Sequence, residues 1–268
     1  MVKIDFTGRT AIITGAAGAI GSGIAKVFAK AGASLAICDM REDALIEAAG
    51  RLRTQFSTRV EPYLLNITDT ENIYQVSDKV AADFGGIDFF IHSAGAASAA
   101  NGDGGKFNDV SMEAAETLVQ TNIMATGHFM KSVLKHMLPR SFGRIVLVAS
   151  IAGRYGVDHM PWYGATKAAM IHLAQTVARS HAKEGITCNA ICPGVVMSGM
   201  MKERMRLAAK RDGCTYEEAF HRFIDGWCPQ GEPQEPQDMG NAAAFFCSDL
   251  GRHVNGQTLN VCGGARVN

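Results

Sequence analysis

The sequence predicts a doubly wound α/β fold: a seven-stranded parallel sheet with helices on both faces. Three observations predict it. Seven short apolar runs recur along the 268 residues with helical patterns between them, the alternation expected when parallel strands are joined by crossover helices. Runs such as AIIT and IVLVA are apolar at successive positions, as strands must be when helices cover both sides of a sheet. The first run leads through a glycine-rich turn directly into a helical pattern, the strand-turn-helix unit that opens many such sheets.

Taken in order, the first strand covers Ala11 to Ile13 and is followed by the turn TGAAGAIG and a helix. The second covers Ser34 to Cys38 and the third Val60 to Leu65, after which Asp69 is placed to cap a helix,. The fourth covers Ile87 to Ile91 and runs into a loop rich in Gly, Ala and Ser from Gly95 to Gly105,. Ser111 opens a long helix that ends near Pro139, and the fifth strand follows from Arg144 to Ala149,. A helix containing WYGATKAAMIHLAQTVARS precedes the sixth strand, Thr187 to Cys192, and the seventh is Gln257 to Val261. Between the last two strands lies an excursion from about 195 to 235. Its stretch Met197 to Trp227 alternates apolar side chains such as Met201, Met205, Phe220 and Phe223 with Lys202, Arg204, Arg206, Lys210 and Arg211. This pattern predicts one or two amphipathic helices, a mobile lid over a bulky apolar substrate or a packing surface. Nothing marks a second core, so residues 1–268 are expected to form a single domain.

Composition narrows the function. Lys plus Arg and Asp plus Glu are 26 each, and neither sign forms a long block, so there is no electrostatic footprint for nucleic acid or an anionic membrane. A small-molecule partner fits better. The seven cysteines are odd in number and form no C-x-x-C pair, which reads as reduced thiols of a cytoplasmic protein. The N-terminal MVKIDFTGRT lacks the basic and apolar regions of a signal peptide, and no apolar run is long enough to span a bilayer,. No histidine pattern or cysteine spacing suggests a metal site.

The chemistry-bearing positions follow the strand ends. The turn after the first strand places backbone amides of Gly15, Ile20 and their neighbours at a helix N-terminus, where they can face a pyrophosphate. The second strand ends in Asp39, where a carboxylate can accept hydrogen bonds from both hydroxyls of an adenine ribose. That choice favours NAD over NADP, because a 2′-phosphate would meet this negative charge and neither Ala17 nor Gly18 compensates it. Arg41, two residues on, is the nearest cation to consider. Tyr163 and Lys167 are four apart in a helical pattern and share one face. Ser150 ends the fifth strand and Asn122 lies in the long helix before it.

With these residues in this order, the chain resembles the short-chain dehydrogenase/reductase family, in its compact single-domain branch, over essentially its whole length. The motifs that carry the resemblance are TGAAGAIG at 14–21, Asp39, Asn122, Ser150, YGATK at 163–167 and NAICPG at 189–194. It implies a Rossmann-like sheet, a catalytic set of Asn122, Ser150, Tyr163 and Lys167, and a homotetramer or homodimer built on the long helices. Cofactor contacts are expected from Gly15, Ala17, Gly18, Ala19, Ile20 and Gly21 in the turn, and from Asp39 and Met40 after the second strand. Further contacts are expected from Asn66 and Ile67 after the third, from Ser93, Ala94 and Gly95 after the fourth, from Tyr163 and Lys167, and from Pro193, Gly194, Val196 and Ser198 after the sixth.

Three departures stand out. Ala19 replaces the middle glycine of T-G-x-x-x-G-x-G and puts a methyl group near the pyrophosphate, which is expected to weaken cofactor binding. His92 and Ser93 stand where the family shows N-N in N-N-A-G, and the shorter reach of Ser93 is expected to weaken the bracing of the sheet centre. Ser198 stands where a threonine often contacts the nicotinamide carboxamide; the hydroxyl is kept.

The expected activity is hydride transfer between NAD and a secondary alcohol or ketone, with Tyr163 as general acid/base. To act as a base near neutrality Tyr163 must come down about three units, or about 4 kcal/mol. A lysine ammonium about 5 Å away supplies roughly 3 kcal/mol at an effective dielectric of about 20. Asn122 is expected to help hold a water-linked proton path through Lys167. The alternatives are a catalytically silent NAD-binding sensor or assembly module, and an enzyme that uses the cofactor for other chemistry. Asp158 and His159 are weighed as pocket residues contacting a polar substrate group.

Overall fold

The first strand, β1 (Thr10–Thr14), lies inside the sheet and is buried at every position, and its even and odd side chains enter different cores. Because side chains alternate across a strand, Ile12 packs with Ala36, Phe90 and Leu147 on one side of the sheet, while Ala11 and Ile13 pack with Leu35, Ile37 and Phe89 on the other. The computed structural model describes residues 4–98 and 105–267. Most of the Gly95 to Gly105 loop therefore lies outside the described residues.

After β1 come α1 (Ala19–Lys30), β2 (Ser34–Asp39), α2 (Glu42–Gln55), β3 (Val60–Leu64), α3 (Thr70–Phe84) and β4 (Phe89–His92). Asp69 caps α3 as expected, its carboxylate accepting the Asn72 amide at 3.1 Å. Then follow α4 (Met112–Leu118), a π turn (Val119–Met124), α5 (Ala125–Met137), β5 (Gly143–Val148), α6 (Pro161–Ser180) and β6 (Ile186–Pro193). The chain closes with α7 (Gly199–Asp212), α8 (Tyr216–Trp227), α9 (Pro236–Cys247) and β7 (Thr258–Val261).

All seven strands are parallel, in the order β3-β2-β1-β4-β5-β6-β7. The order reverses between β1 and β4, and at such a switch point the helices leave opposite faces and open a crevice beyond the strand C-termini. Thr14 pairs in register with both Cys38 and His92. The ends of β1, β2 and β4 therefore lie level at that crevice.

One core contains Phe90, Phe129, Met130 and Met170 from β4, α5 and α6, and the other contains Ile24, Phe28, Leu45 and Met239 from α1, α2 and α9. Fully burying a side chain of this size stabilises by roughly 1.5–3 kcal/mol. At the far end of the sheet the buried Asp88 accepts the Thr10 amide at 2.8 Å and the guanidinium groups of Arg9 and Arg140 at 3.1 and 2.9 Å. β4 starts at Phe89 rather than at Ile87 as the apolar run predicts, although the Asp88 amide donates to the Thr10 carbonyl and the Asp88 carbonyl accepts the Arg144 amide, both at 3.0 Å.

The long helix expected from Ser111 is present, with the Ser111 hydroxyl accepting the Ala114 amide at 3.1 Å, but a π turn interrupts it at Val119–Met124. The excursion forms α7 and α8, closed at its base by the bridge between Val196 and Gln234. No described helix is long and apolar enough to cross a membrane. Among the described residues no group of His, Cys, Asp or Glu is arranged to hold a metal ion.

Candidate active site

The glycine turn bends because of two close approaches. Gly15 has φ +67°, and a β-carbon there would lie 2.9 Å from the Ala94 nitrogen, so only glycine lets the turn pass against the end of β4,. A β-carbon on Gly21 would run into the Gly15 carbonyl, which fixes how closely α1 returns to the turn. The first intrahelical bond of α1 runs from the Ser22 amide to the Gly18 carbonyl at 2.9 Å. The three preceding amides, of Ala19, Ile20 and Gly21, thus point out of the helix N-terminus, where an anion is favoured.

At the end of β2, Asp39 is buried and its carboxylate accepts the Ala17 amide at 3.1 Å. Arg41 clamps the same group: its backbone amide and Nε each donate to Oδ1 at 3.1 Å, and Nη2 donates to Oδ2 at 3.4 Å. The cation weighed from the sequence therefore stands on the carboxylate itself. At the end of β3, Asn66 Oδ1 accepts the Thr68 amide and hydroxyl at 3.1 and 2.8 Å.

At the end of β4 the expected weakening of the bracing is offset by Thr14. Its Oγ1 accepts the Ser93 and Ala94 amides, both at 3.1 Å, and lies 2.9 Å from Nδ1 of the fully buried His92. The next residues are held from the other side by Asn122. Its Oδ1 accepts the Ala96 amide at 2.9 Å, and Nδ2 donates to the Ala96 carbonyl at 2.9 Å and to Thr166 Oγ1 at 3.0 Å. The π turn carries Asn122 into this position, consistent with the occurrence of such turns at functional sites. Its side chain braces the wall of the crevice and α6.

The remaining side chains come from β5 and α6. Ser150 Oγ accepts the Ala152 amide at 3.1 Å. The same hydroxyl stands beside Tyr163 and favours the phenolate, but burial outweighs it and raises the phenol above its ordinary value. Lys167, one helical turn on, has its Nζ 5.7 Å from the centroid of the Tyr163 ring. That Nζ donates to the Val148 carbonyl at 3.1 Å and lies 3.5 Å from the Met170 sulfur. Burial pushes the ammonium down to about 8. A β-carbon on Gly95 would lie 3.6 Å from Nζ, so the Tyr163–Lys167 face adjoins the wall formed by residues 93–96.

These walls enclose a crevice of about 740 Å3. Of the residues expected to meet a cofactor, Gly15, Ala17, Gly18, Ala19, Asp39, Met40, Asn66, Ile67, Ser93, Ala94, Gly95 and Ser198 line it. Ile20, Gly21, Tyr163, Lys167, Pro193, Gly194 and Val196 do not. The Val196 side chain is buried in the core under α1 and α9, and Ser198 Oγ accepts the Met201 amide at 3.1 Å as the cap of α7. Arg41, Thr68, Ala96 and Thr121 also line the crevice and were not expected there. Arg41 alone had a signal in the sequence, its charge next to Asp39. A larger groove of about 900 Å3 runs between α7 and α8 and shares no lining residue with the crevice. Asp158 and His159 pair with each other at 2.8 Å, with Asp158 almost fully exposed, in the loop before α6. The outward amides, the close approaches that require glycine at positions 15 and 21, and the Asp39 carboxylate bonded to the turn at Ala17 fit a dinucleotide,.

Comparison with known proteins points the same way. A family model described as Enoyl-(Acyl carrier protein) reductase matches residues 15–266. The Oxidoreductase UcpA of Escherichia coli strain K12 is 31% identical, over 97% of this chain and 95% of that protein. Among solved structures, an NAD+-bound xylitol dehydrogenase is 30% identical with a TM-score of 0.87, covering 97% of this chain and 99% of that one. The L-sorbose reductase of Gluconobacter frateurii, complexed with NADPH and L-sorbose, is 26% identical with a TM-score of 0.93 and full coverage of both chains, at 100% each.

Proposed function

The chain belongs to the short-chain dehydrogenase/reductase family, and from that premise we propose that it is an NAD-dependent oxidoreductase moving a hydride between the nicotinamide and a secondary alcohol or ketone. The observation that carries the proposal is the juxtaposition of Ser150, Tyr163 and Lys167 with the Gly95 wall of a crevice that Asp39 and the glycine turn enclose. Both an NAD+-bound and an NADPH-bound relative resemble the chain, so the preference for NAD rests on Asp39. Its buried carboxylate can accept two ribose hydroxyls and repels a 2′-phosphate.

When bound, the nicotinamide would accept or donate the hydride and, oxidised, would carry a positive charge. The protein moves the proton. Tyr163 Oη takes it from the substrate hydroxyl in oxidation and returns it to the carbonyl oxygen in reduction. Ser150 Oγ donates to the reacting oxygen. We take Lys167 to offset the burial that raises the phenol: its Nζ stands 5.7 Å from the centroid of the Tyr163 ring, and a charge about 6 Å from the phenolate would contribute roughly 3 kcal/mol at an effective dielectric of about 20. Asn122 serves by holding Ala96 and α6 in register, so that Lys167 and the crevice keep their spacing.

The proposal takes residues 1–268 as one domain whose substrate side is the excursion at about 195–235. It further takes the protein to be a homotetramer or homodimer acting in the cytoplasm, a setting that suits its seven unpaired cysteines,. The test is a panel of secondary alcohols and ketones with NAD and then NADP, followed by nicotinamide absorbance. Tyr163→Phe keeps dinucleotide binding and loses turnover by about three orders of magnitude or more, since packing is nearly unchanged while the proton acceptor is gone. A near-normal rate in that variant overturns the assignment. No turnover on any panel member, with NAD still bound, favours the sensor reading.

A further inference from the structure

We propose that His92 is a positioning residue of the cofactor crevice, acting through the Thr14 hydroxyl on the backbone of Ser93 and Ala94. The inference rests on the reading of that crevice as a dinucleotide site. Thr14 Oγ1 is met by three groups: the Ser93 amide at 3.1 Å, the Ala94 amide at 3.1 Å and His92 Nδ1 at 2.9 Å. A hydroxyl has two lone pairs and one proton. Both amides can only donate, so they take the lone pairs and the hydroxyl proton goes to Nδ1. Nδ1 is therefore the acceptor, and the ring proton sits on Nε2.

Nε2 is buried, and among the described residues no protein group bonds to it. A buried N–H without a partner carries a desolvation penalty, which a phenylalanine filling the same space would avoid. The site keeps the imidazole for its other nitrogen. Burial, with the Lys167 charge adding to it, pushes the ring down to about 3, so it remains a neutral acceptor throughout the working pH range.

The segment so anchored has little room to move. On one side the Gly15 turn approaches the Ala94 nitrogen so closely that a β-carbon would sit 2.9 Å from it. On the other, a β-carbon on Gly95 would lie 2.8 Å from Asn122 Oδ1 and 3.6 Å from Lys167 Nζ. Thr14 and Asn122 grip the strap at Ser93 to Ala96 from two elements. Loosening the Thr14 grip shifts the wall that a dinucleotide must lie against, while the proton-transfer residues on α6 keep their own bonds.

The test compares His92→Phe, His92→Asn and Thr14→Val. In His92→Phe the Thr14 hydroxyl loses its acceptor. We expect at least tenfold less hydrogen-exchange protection at the Ser93 and Ala94 amides, and an NAD Kd and KM raised about tenfold, with a smaller fall in kcat. His92→Asn places an amide oxygen within reach of the hydroxyl and restores both readouts to within about threefold of the wild type. Thr14→Val behaves like His92→Phe, and the double variant is no worse than Thr14→Val alone, because both remove one strut. A folded His92→Phe protein with wild-type protection and NAD affinity overturns the proposal, as do effects of the two substitutions that multiply. If His92→Phe yields no folded protein, His92→Leu compared with His92→Asn decides by the same readouts, because only the asparagine can still accept from the Thr14 hydroxyl. A wild type that binds no dinucleotide sinks the proposed function instead, and exchange at Ser93 and Ala94, which needs no cofactor, still decides the role of His92.

Discussion

Asp39 is where a single side chain decides most, and its clamp by Arg41 changes what removing it should do. With Nε and Nη2 both on the carboxylate, the guanidinium is held beside the proposed ribose site and is partly neutralised there. Asp39→Ala removes the ribose acceptor and at the same time frees a cation next to the turn, two changes that act in the same direction on a 2′-phosphate. The NAD over NADP ratio of kcat/KM should therefore fall by about a hundredfold or more, taking roughly 1.4 kcal/mol per tenfold for each contribution. Asp39→Ala with Arg41→Ala should give back about half of that loss on a logarithmic scale, since the cation is no longer available to NADP. A ratio unmoved in the single variant removes Asp39 from cofactor selection; a double variant identical to the single one removes Arg41.

At the scale of elements, α7 and α8 form a unit with few ties to the sheet. Their apolar side chains Met201, Phe220, Phe223 and Ile224 gather with Val195 and Cys228 in a small cluster separate from the two main cores. The unit is closed at its base by the bridge between Val196 and Gln234. Such a hairpin can swing about its base without disturbing either core, the behaviour of a lid. Limited trypsin cleavage at Lys210 or Arg211, near the turn between the two helices, should slow severalfold when NAD and a substrate are both present. Equal cleavage rates with and without them would make the pair a fixed packing element. The amphipathic pattern showed that helices would form here, because the period of apolar residues is a local property, but it carried no sign of what they pack on. The strands were legible for the same reason where the run is apolar on both faces, as in β1 and β5, whereas β3 is buried only at Val60 and Tyr63. The π turn at Val119–Met124 was not, because a one-residue wider turn leaves no mark in an apolar period, and with it the grip of Asn122 on Ala96 was missed. The clamp of Arg41 on Asp39 depends on side-chain placement, which sequence spacing allows but does not fix.

For the molecule as a whole, the interior sets a pH window for stability. His92 is held near 3 in the fold against about 6.5 in an unfolded chain. Between those values the unfolded state binds the extra proton, so stability falls as pH drops below about 6.5, by up to about 1.4 kcal/mol per pH unit. On the alkaline side, Cys38, Cys188 and Cys247 are raised by burial, while thiols of an unfolded chain ionise from about 8.5. Above that value the unfolded state releases protons that the fold retains, and stability falls again. Lys167, held near 8, works in the opposite sense up to about 10.4, but it is one group against five, since burial raises Cys192 and Cys228 as well. The melting temperature should therefore be highest and nearly level between about pH 6.5 and 8.5 and decline on both sides. His92→Asn has nothing to titrate, so it should flatten the decline between about pH 6.5 and 4.5, above the range where carboxylates contribute. Cys188→Ala should make the alkaline decline shallower by about 1.4 kcal/mol per pH unit, measured as the unfolding free energy in urea. If wild type and His92→Asn lose stability in parallel from pH 6.5 to 4.5, the imidazole is not the group that closes the acid side, and its burial as a neutral acceptor beneath Thr14 would have to be abandoned with it.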